Sequence, residues 1–168
     1  LSEILLARTG LGELRLLLPA LARLSRRERV LLVAPPCTPY APALAAAGIA
    51  LRHLGWVHAA PDQALWATEQ CLRAGCLGAV LAWSETGDDR ALRRLQLAAD
   101  SGRAYAILLR PLRQAANASP AALRLTIEAP QGRPSLRVLK CRGAVAPAAS
   151  FVLPQGGIAT LGGVDMKA

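Results

Sequence analysis

Ile4-Leu5-Leu6-Ala7-Arg8-Thr9-Gly10-Leu11-Gly12-Glu13-Leu14-Arg15-Leu16-Leu17-Leu18 runs from an apolar stretch, through a loop with two glycines, into leucines at helical spacing. This is the place where a nucleotide-binding chain carries its phosphate loop. In the pattern G-x-x-x-x-G-K-[ST], backbone amides wrap the phosphates, the lysine neutralises them and the hydroxyl holds magnesium. Here the four diagnostic positions read Ala7, Gly12, Glu13 and Leu14. A carboxylate in the lysine's place repels a triphosphate, and leucine cannot coordinate a cation. The strand, loop and helix are therefore expected without ATP binding, which points to an adaptor built on an enzyme's scaffold.

Working outward, strand and helix signals alternate, as in a parallel sheet with crossover helices. Leu14, Leu17, Leu18 and Leu21 predict a helix over 14–24, bent at Pro19. Val30 to Val33 is a continuous apolar run typical of a strand buried on both faces, ended by Pro35-Pro36. A helix over 41–47 stops at Gly48. Trp56 to Ala59 reads as a strand, 62–74 as a helix closed by Gly75, and Ala79 to Trp83 as the central strand. Asp88 to Ala99 is amphipathic, with two acids at its start and Gly102 just past its end. Leu92, Leu95 and Ala99 share its inner face, and Arg90, Arg93, Arg94 and Leu97 its outer side. Ala104 to Leu109 is a further strand, 112–120 a polar loop, and Leu123 to Ala129 with Leu136 to Arg142 an antiparallel pair. From Ala144 the chain is rich in Ala, Gly and Pro, with one apolar knot, Phe151-Val152-Leu153. It is expected to be poorly ordered unless a partner holds it, the knot being suited to adding a strand to a sheet edge or filling a groove.

With 168 residues, 53% of them hydrophobic, the chain can bury one proper core. No apolar run reaches the roughly 18 residues that span a bilayer, and the start lacks a signal-peptide pattern, so a cytoplasmic location without membrane contact is expected. Leu1 is not an initiator methionine, and a native segment is expected to precede it. Cys37, Cys71, Cys76 and Cys141 show no C-x-x-C spacing, and only His53 and His58 could complete a metal set. Free thiols, no metal and no cofactor are expected. The net charge of +9 is uneven: residues 1–100 carry eleven basic and nine acidic side chains, residues 101–168 nine and two. Such a field suits nucleic acid or an acidic protein surface. There is no Gly-x-Ser-x-Gly elbow, no nucleophile beside the histidines, and Asp88-Asp89 reads as helix-end charge, so no enzyme activity is expected.

Five phrases together resemble the ImuA family, proteins associated with translesion DNA synthesis that are built on a degenerate RecA core. They are Gly12-Glu13-Leu14-Arg15-Leu16-Leu17-Leu18-Pro19-Ala20-Leu21, Ala34-Pro35-Pro36, Tyr40-Ala41-Pro42-Ala43-Leu44-Ala45-Ala46-Ala47-Gly48-Ile49, Gly78-Ala79-Val80-Leu81-Ala82-Trp83 and Ala91-Leu92-Arg93-Arg94-Leu95-Gln96-Leu97-Ala98-Ala99. The resemblance implies a three-layer α/β RecA-like domain over 1–142, with a mostly parallel central sheet and an antiparallel C-terminal strand pair; the composition of residues 143–168 marks them as a flexible tail beyond it. It also implies that Pro36 stands where the recombinase has its water-activating glutamate, Ala43 where it stacks an aromatic ring near adenine, and Trp83 at the end of the strand that presents its magnesium-organising aspartate. Phosphoryl transfer needs a phosphate cradle, a metal acid and a water-positioning group together, so no ATP hydrolysis is expected. The implied function is that of an accessory protein in SOS-induced mutagenesis. Its implied partners are the polymerase-like protein ImuB, RecA and an error-prone replicative-type polymerase. The related SulA family of cell-division inhibitors gives an alternative, and single-stranded DNA binding another.

In the DNA reading, Arg90, Arg93 and Arg94 follow a loop placed like the recombinase's first DNA-contacting loop, and Arg110 and Arg113 begin the segment replacing its second. These five guanidiniums would form a phosphate stripe. The alternative is a solvated helix face partly neutralised by Asp88 and Asp89, with no aromatic residue interleaved to stack bases. Trp56 and Trp83 are expected in the core or at its edge. Trp66 is either an exposed partner anchor or packed beneath a loop. Leu97 within an arginine face, and Phe151 in the tail, complete the candidate contact residues.

Overall fold

The computed structural model describes residues 1–153. Strands β1 (Ser2–Leu6), β2 (Val30–Val33), β3 (Leu54–Val57), β4 (Ala79–Trp83) and β5 (Tyr105–Pro111) alternate with helices α1 (Glu13–Leu24), α2 (Ala41–Ala46), α3 (Ala64–Arg73) and α4 (Asp89–Gly102). Strands β6 (Leu123–Glu128), β7 (Ser135–Cys141) and β8 (Ser150–Val152) follow. All eight form one sheet in the order β3-β2-β4-β5-β1-β6-β7-β8, parallel as far as β6, with β7 and β8 antiparallel to their neighbours.

The chain leaves β1 toward β2 and β3, then returns through β4 and β5. Because parallel crossovers are right-handed, the two legs place their helices on opposite faces. Leu14, Leu17 and Leu21 of α1 and Leu44 of α2 pack with Ile4, Leu6, Leu32 and Leu81 on one face. Ala67 and Leu72 of α3 and Leu92 and Leu95 of α4 pack with Val33, Val80 and Leu108 on the other. β4, with helices on both faces, is buried along its whole length. This is the three-layer α/β architecture the sequence pattern indicates.

Several boundaries have a different cause from the one read in sequence. α1 runs through Pro19. β3 starts at Leu54, two residues early, and leaves Trp56 45% exposed on the sheet's edge strand. Its indole therefore sits outside the core and donates to His58 Nε2 at 3.1 Å. α4 extends through Gly102, and Arg103 takes the left-handed cap at φ 53°. Gly102 serves a different need: a Cβ there would lie 1.9 Å from the Leu72 carbonyl oxygen, so its bare Cα lets α4 approach α3. Phe151 lies in β8, which pairs antiparallel with β7 along Ser135 to Arg137, so this part of the tail adds a strand to the chain's own sheet. The remainder of the tail, 154–168, lies outside the described residues.

A buried ion cluster sits inside this apolar frame. Glu3, the second residue of β1, is fully buried, and the neighbouring strands β5 and β6 each send it an arginine. Arg110 Nη1 donates to Oε1 at 2.8 Å, and Arg124 Nε donates to Oε2 at 2.8 Å. Arg110 Nη2 also reaches the carbonyls of Thr86 and Gly87 and the Gln114 side chain, at 3.2, 2.6 and 3.1 Å. Arg124 donates to the carbonyls of Gln114 and Ala115. Arg110 is only 2% exposed. Its place in a surface stripe is therefore corrected: it is an internal tie between three strands, the β4–α4 loop and the 3-10 turn Leu112–Ala116.

Two substitutions test this frame. Glu3→Gln leaves two buried guanidiniums without a counter-charge and is expected to cost about 3–5 kcal/mol, read from the urea midpoint of the far-UV circular dichroism signal. Gly102→Ala is expected to cost about 3 kcal/mol by the same measurement, because backbone must move to admit the methyl group. A loss below about 0.5 kcal/mol in either, the range of a neutral surface change, contradicts the packing described.

Candidate functional site

The carboxyl ends of β1, β2, β4 and β5 open into a cleft of about 570 Å³. Open parallel sheets bind ligands at this edge, because loops diverge there and helix N-termini point into the crevice. Residues 7–9 after β1, 34–36 after β2 and 84–85 after β4 contribute to its walls, with His58, Pro61, Arg110 and Arg113. Ala34 holds φ +49°, a left-handed conformation uncommon outside glycine, and its N–H is bound to the Val57 carbonyl.

The loop 7–12 has the shape of a phosphate cradle and a different occupant. Gly10 and Gly12 both have positive φ, at 79° and 95°, and Gly12 caps α1 without a side-chain hydrogen bond. Glu13, the first residue of α1, folds back beneath the loop and is buried. The Gly10 N–H donates to its Oε1 at 3.0 Å, and its Oε2 is buried without a hydrogen-bond partner among the described residues. The start of a helix and a loop amide form an anion site, and here the chain's own carboxylate takes it. Leu14, in the hydroxyl's place, packs into the core.

Across the cleft, Trp83 ends β4. It is 9% exposed and belongs to the core cluster on the α1 face, while its Nε1 has no acceptor among the described residues. Pro36 is exposed in the loop after β2. Ser84 and Thr86 brace the next loop through a reciprocal pair of bonds at 3.1 and 3.3 Å. Arg113 pairs with Glu85 at 2.6 Å, and Gln114 donates to the Glu85 carbonyl.

The proposed arginine stripe does not assemble. Arg93 is paired with Asp89 at 2.7 Å, and Arg94 with Glu69, which also takes Arg73 at 2.9 Å. Arg113 is taken by Glu85 and Arg110 by Glu3. Asp88 caps α4 by accepting from the Ala91 N–H at 2.8 Å. Of the five, Arg90 alone carries no ion pair among the described residues. The exposed apolar candidates do stand free: Trp66 is 59% and Leu97 66% exposed, and Phe151 lies half-exposed on β8. Glu3 and Arg124 went unread as functional neighbours. The sequence signal for Glu3 is a charge beside the apolar run Ile4-Leu5-Leu6, and Arg124 has none, since its strand alternates apolar and polar residues.

No group of three metal-ligating side chains forms among the described residues. The four cysteines are free. Burial pushes the Cys71 thiol up from its ordinary value, Cys76 adds to the shift and a backbone hydrogen bond opposes it, so Cys71 is poorly suited to nucleophilic chemistry. No helix among the described residues is long and apolar enough to cross a membrane.

This chain matches the crystal structure of SulA from Pseudomonas aeruginosa with 28% sequence identity and a TM-score of 0.55, over 66% of this chain and 97% of that one. No protein-family model matches it, and no curated protein does. The fold is SulA-like.

The ion pairs fix what salt titration of single-stranded DNA binding should report. Each phosphate contact adds about 0.7 to the slope of log affinity against log salt. Arg90→Ala is expected to reduce the slope by about that amount, and Arg93→Ala and Arg94→Ala by less than half of it. Equal drops in all three would restore the stripe.

Proposed function

We propose that this chain is a non-catalytic accessory protein of SOS-induced translesion DNA synthesis that binds ImuB and works beside RecA and an error-prone replicative-type polymerase. The observation that carries the reading is the Glu13 carboxylate seated in the loop where a nucleotide's phosphates would lie. A chain that keeps the strand, loop and helix of a nucleotide enzyme while filling its anion site from within has moved from chemistry to binding. The ImuA-like phrases supply the identity of the partner. Trp66 and Leu97 are large apolar side chains exposed on α3 and α4, the kind of residue that anchors a protein contact. Direct DNA binding through the arginines has less support, since four of the five already face carboxylates.

A second reading, inhibition of cell division through the tubulin-like division protein, draws on the likeness to SulA along nearly the whole of that chain. Both readings need a protein partner and no nucleotide.

Interferometry with the immobilised chain separates them, using ImuB or the tubulin-like division protein as analyte, with and without Mg-ATP. ImuB is expected to bind equally with and without ATP, and Trp66→Ala or Leu97→Ala to weaken it about tenfold, about 1.4 kcal/mol. Binding to the division protein alone transfers the conclusion to the second reading. A change in affinity on adding ATP would overturn the loss of nucleotide binding.

A further inference from the structure

The loss of nucleotide chemistry leaves the cleft itself open, and its walls carry a consistent chemical bias. Pro35, Pro36 and Pro61 give rigid apolar surface. Arg8 stands on the rim, exposed and without an ion pair among the described residues. Behind the wall, the buried cluster of Arg110, Arg124 and Glu3 holds two positive charges against one negative. The single acid on the wall, Glu85, is neutralised by Arg113. Two wall residues, Trp83 and Arg110, each keep a buried N–H, Nε1 and Nε, without an acceptor among the described residues. Buried donors are nearly always satisfied, and of the two only Trp83, 9% exposed in the cleft wall, can meet an acceptor supplied from outside, since the Arg110 side chain is fully buried.

That acceptor could be a phosphate or a carboxylate, and the loop decides between them. A phosphate at this edge is held by loop amides and the helix N-terminus; here the Gly10 amide is already bonded to Glu13 Oε1, and a phosphate's charge would be repelled by that carboxylate. A side-chain carboxylate needs only the rim cation and a donor, and can leave its apolar neighbours on the prolines. We infer that the cleft binds an acidic peptide segment of a protein partner, with a carboxylate at Arg8 and an adjacent apolar side chain against Pro35, Pro36 and Pro61. The inference rests on the reading of this chain as a non-catalytic binding protein, and it adds the chemistry of what is bound. It places a second contact at the opposite end of the molecule's chemistry from Trp66 and Leu97: an anchored charge where those are apolar anchors.

The probe is a phage-displayed library of random dodecapeptides, selected on the full chain, with the winning peptides measured by fluorescence anisotropy. Selected sequences are expected to share Asp or Glu beside an apolar residue, and replacing that acid by its amide should weaken binding at least tenfold. Arg8→Glu should do the same, while Arg142→Glu, an exposed charge just beyond β7, should leave binding unchanged. In the Trp56→Phe/Trp66→Phe chain, Trp83 is the sole indole, and its emission should shift on peptide binding whether or not Arg8 variants fold well. A selection without an acidic consensus, or peptides that bind the Arg8→Glu chain equally, would falsify the inference. Displacement of the peptides by equimolar ATP or a thymidine 20-mer would also overturn it, by making the cleft a phosphate site. ImuB takes no part in this experiment. Absence of ImuB binding beside an intact acidic consensus would therefore sink the mutasome reading and leave the cleft, and the converse result would do the reverse.

Discussion

A single carboxylate, Glu3, decides how the middle of this sheet is held. It sits on the strand between β5 and β6, and each of its oxygens takes one arginine from one neighbour. Burying such charges is costly, and attraction in a low-dielectric interior offsets the cost only when the geometry is good and the remaining donors are satisfied. Two guanidiniums against one carboxylate leave an excess of donors, and carbonyls from the β4–α4 loop and from the turn after β5 take most of it, with Arg110 Nε alone lacking an acceptor among the described residues. The order of those two segments thus follows from the electrostatics of the core. They border the cleft, so the cleft's back wall inherits the rigidity of the ion cluster.

The front of the cleft follows from a second constraint, the helix start at Glu13. An electropositive helix terminus beside a loop with positive-φ glycines attracts a negative charge from any source. Here Glu13 supplies one, its Oε1 accepting from the Gly10 N–H, so the loop is tied by a side chain of its own helix. Nothing else in the fold has to change, because Leu6, Leu11, Leu81 and Leu109 around it belong to the hydrophobic core and contribute to stability irrespective of nucleotide. Loss of phosphate chemistry and retention of the frame are compatible for this reason. Trp83 extends the same logic: at the end of β4 its indole adds apolar volume continuous with the core.

What the sequence made legible were features with a local cause. The continuous apolar runs of β2 and β4 have helices on both faces; Gly48 at φ 87° closes α2; the acids at the start of α4 cap it; Leu14 and Glu13 rule out the phosphate pattern without any structure. What stayed hidden were pairings between distant residues. Glu3 meets Arg110 and Arg124 across 107 and 121 residues, and no periodicity announces such a partner. Arg94 looked solvated until α3 brought Glu69 beside it, and Gly102 looked like a helix stop until Leu72 explained it. Trp56 was misplaced because an edge strand has the composition of a buried one and differs only in what lies next to it. The cleft was legible in what it had lost, while its cationic wall needed the fold.

The basic excess of residues 101–168 changes meaning once the side chains are placed. Arg110 and Arg124 turn inward to Glu3, and Arg113 is spent on Glu85, so three of those charges leave the outward field. Arg133, Arg137, Lys140 and Arg142, all exposed, remain on β7 and its flanks, away from the arginines of α4. Charges of this kind raise encounter rates with acidic partners and act over roughly a Debye length, about 8–10 Å, in salt. Specificity needs short-range features as well, and the two are separated on this molecule: the diffuse positive charge lies around β7, and shape and fixed donors lie in the cleft at the strand ends.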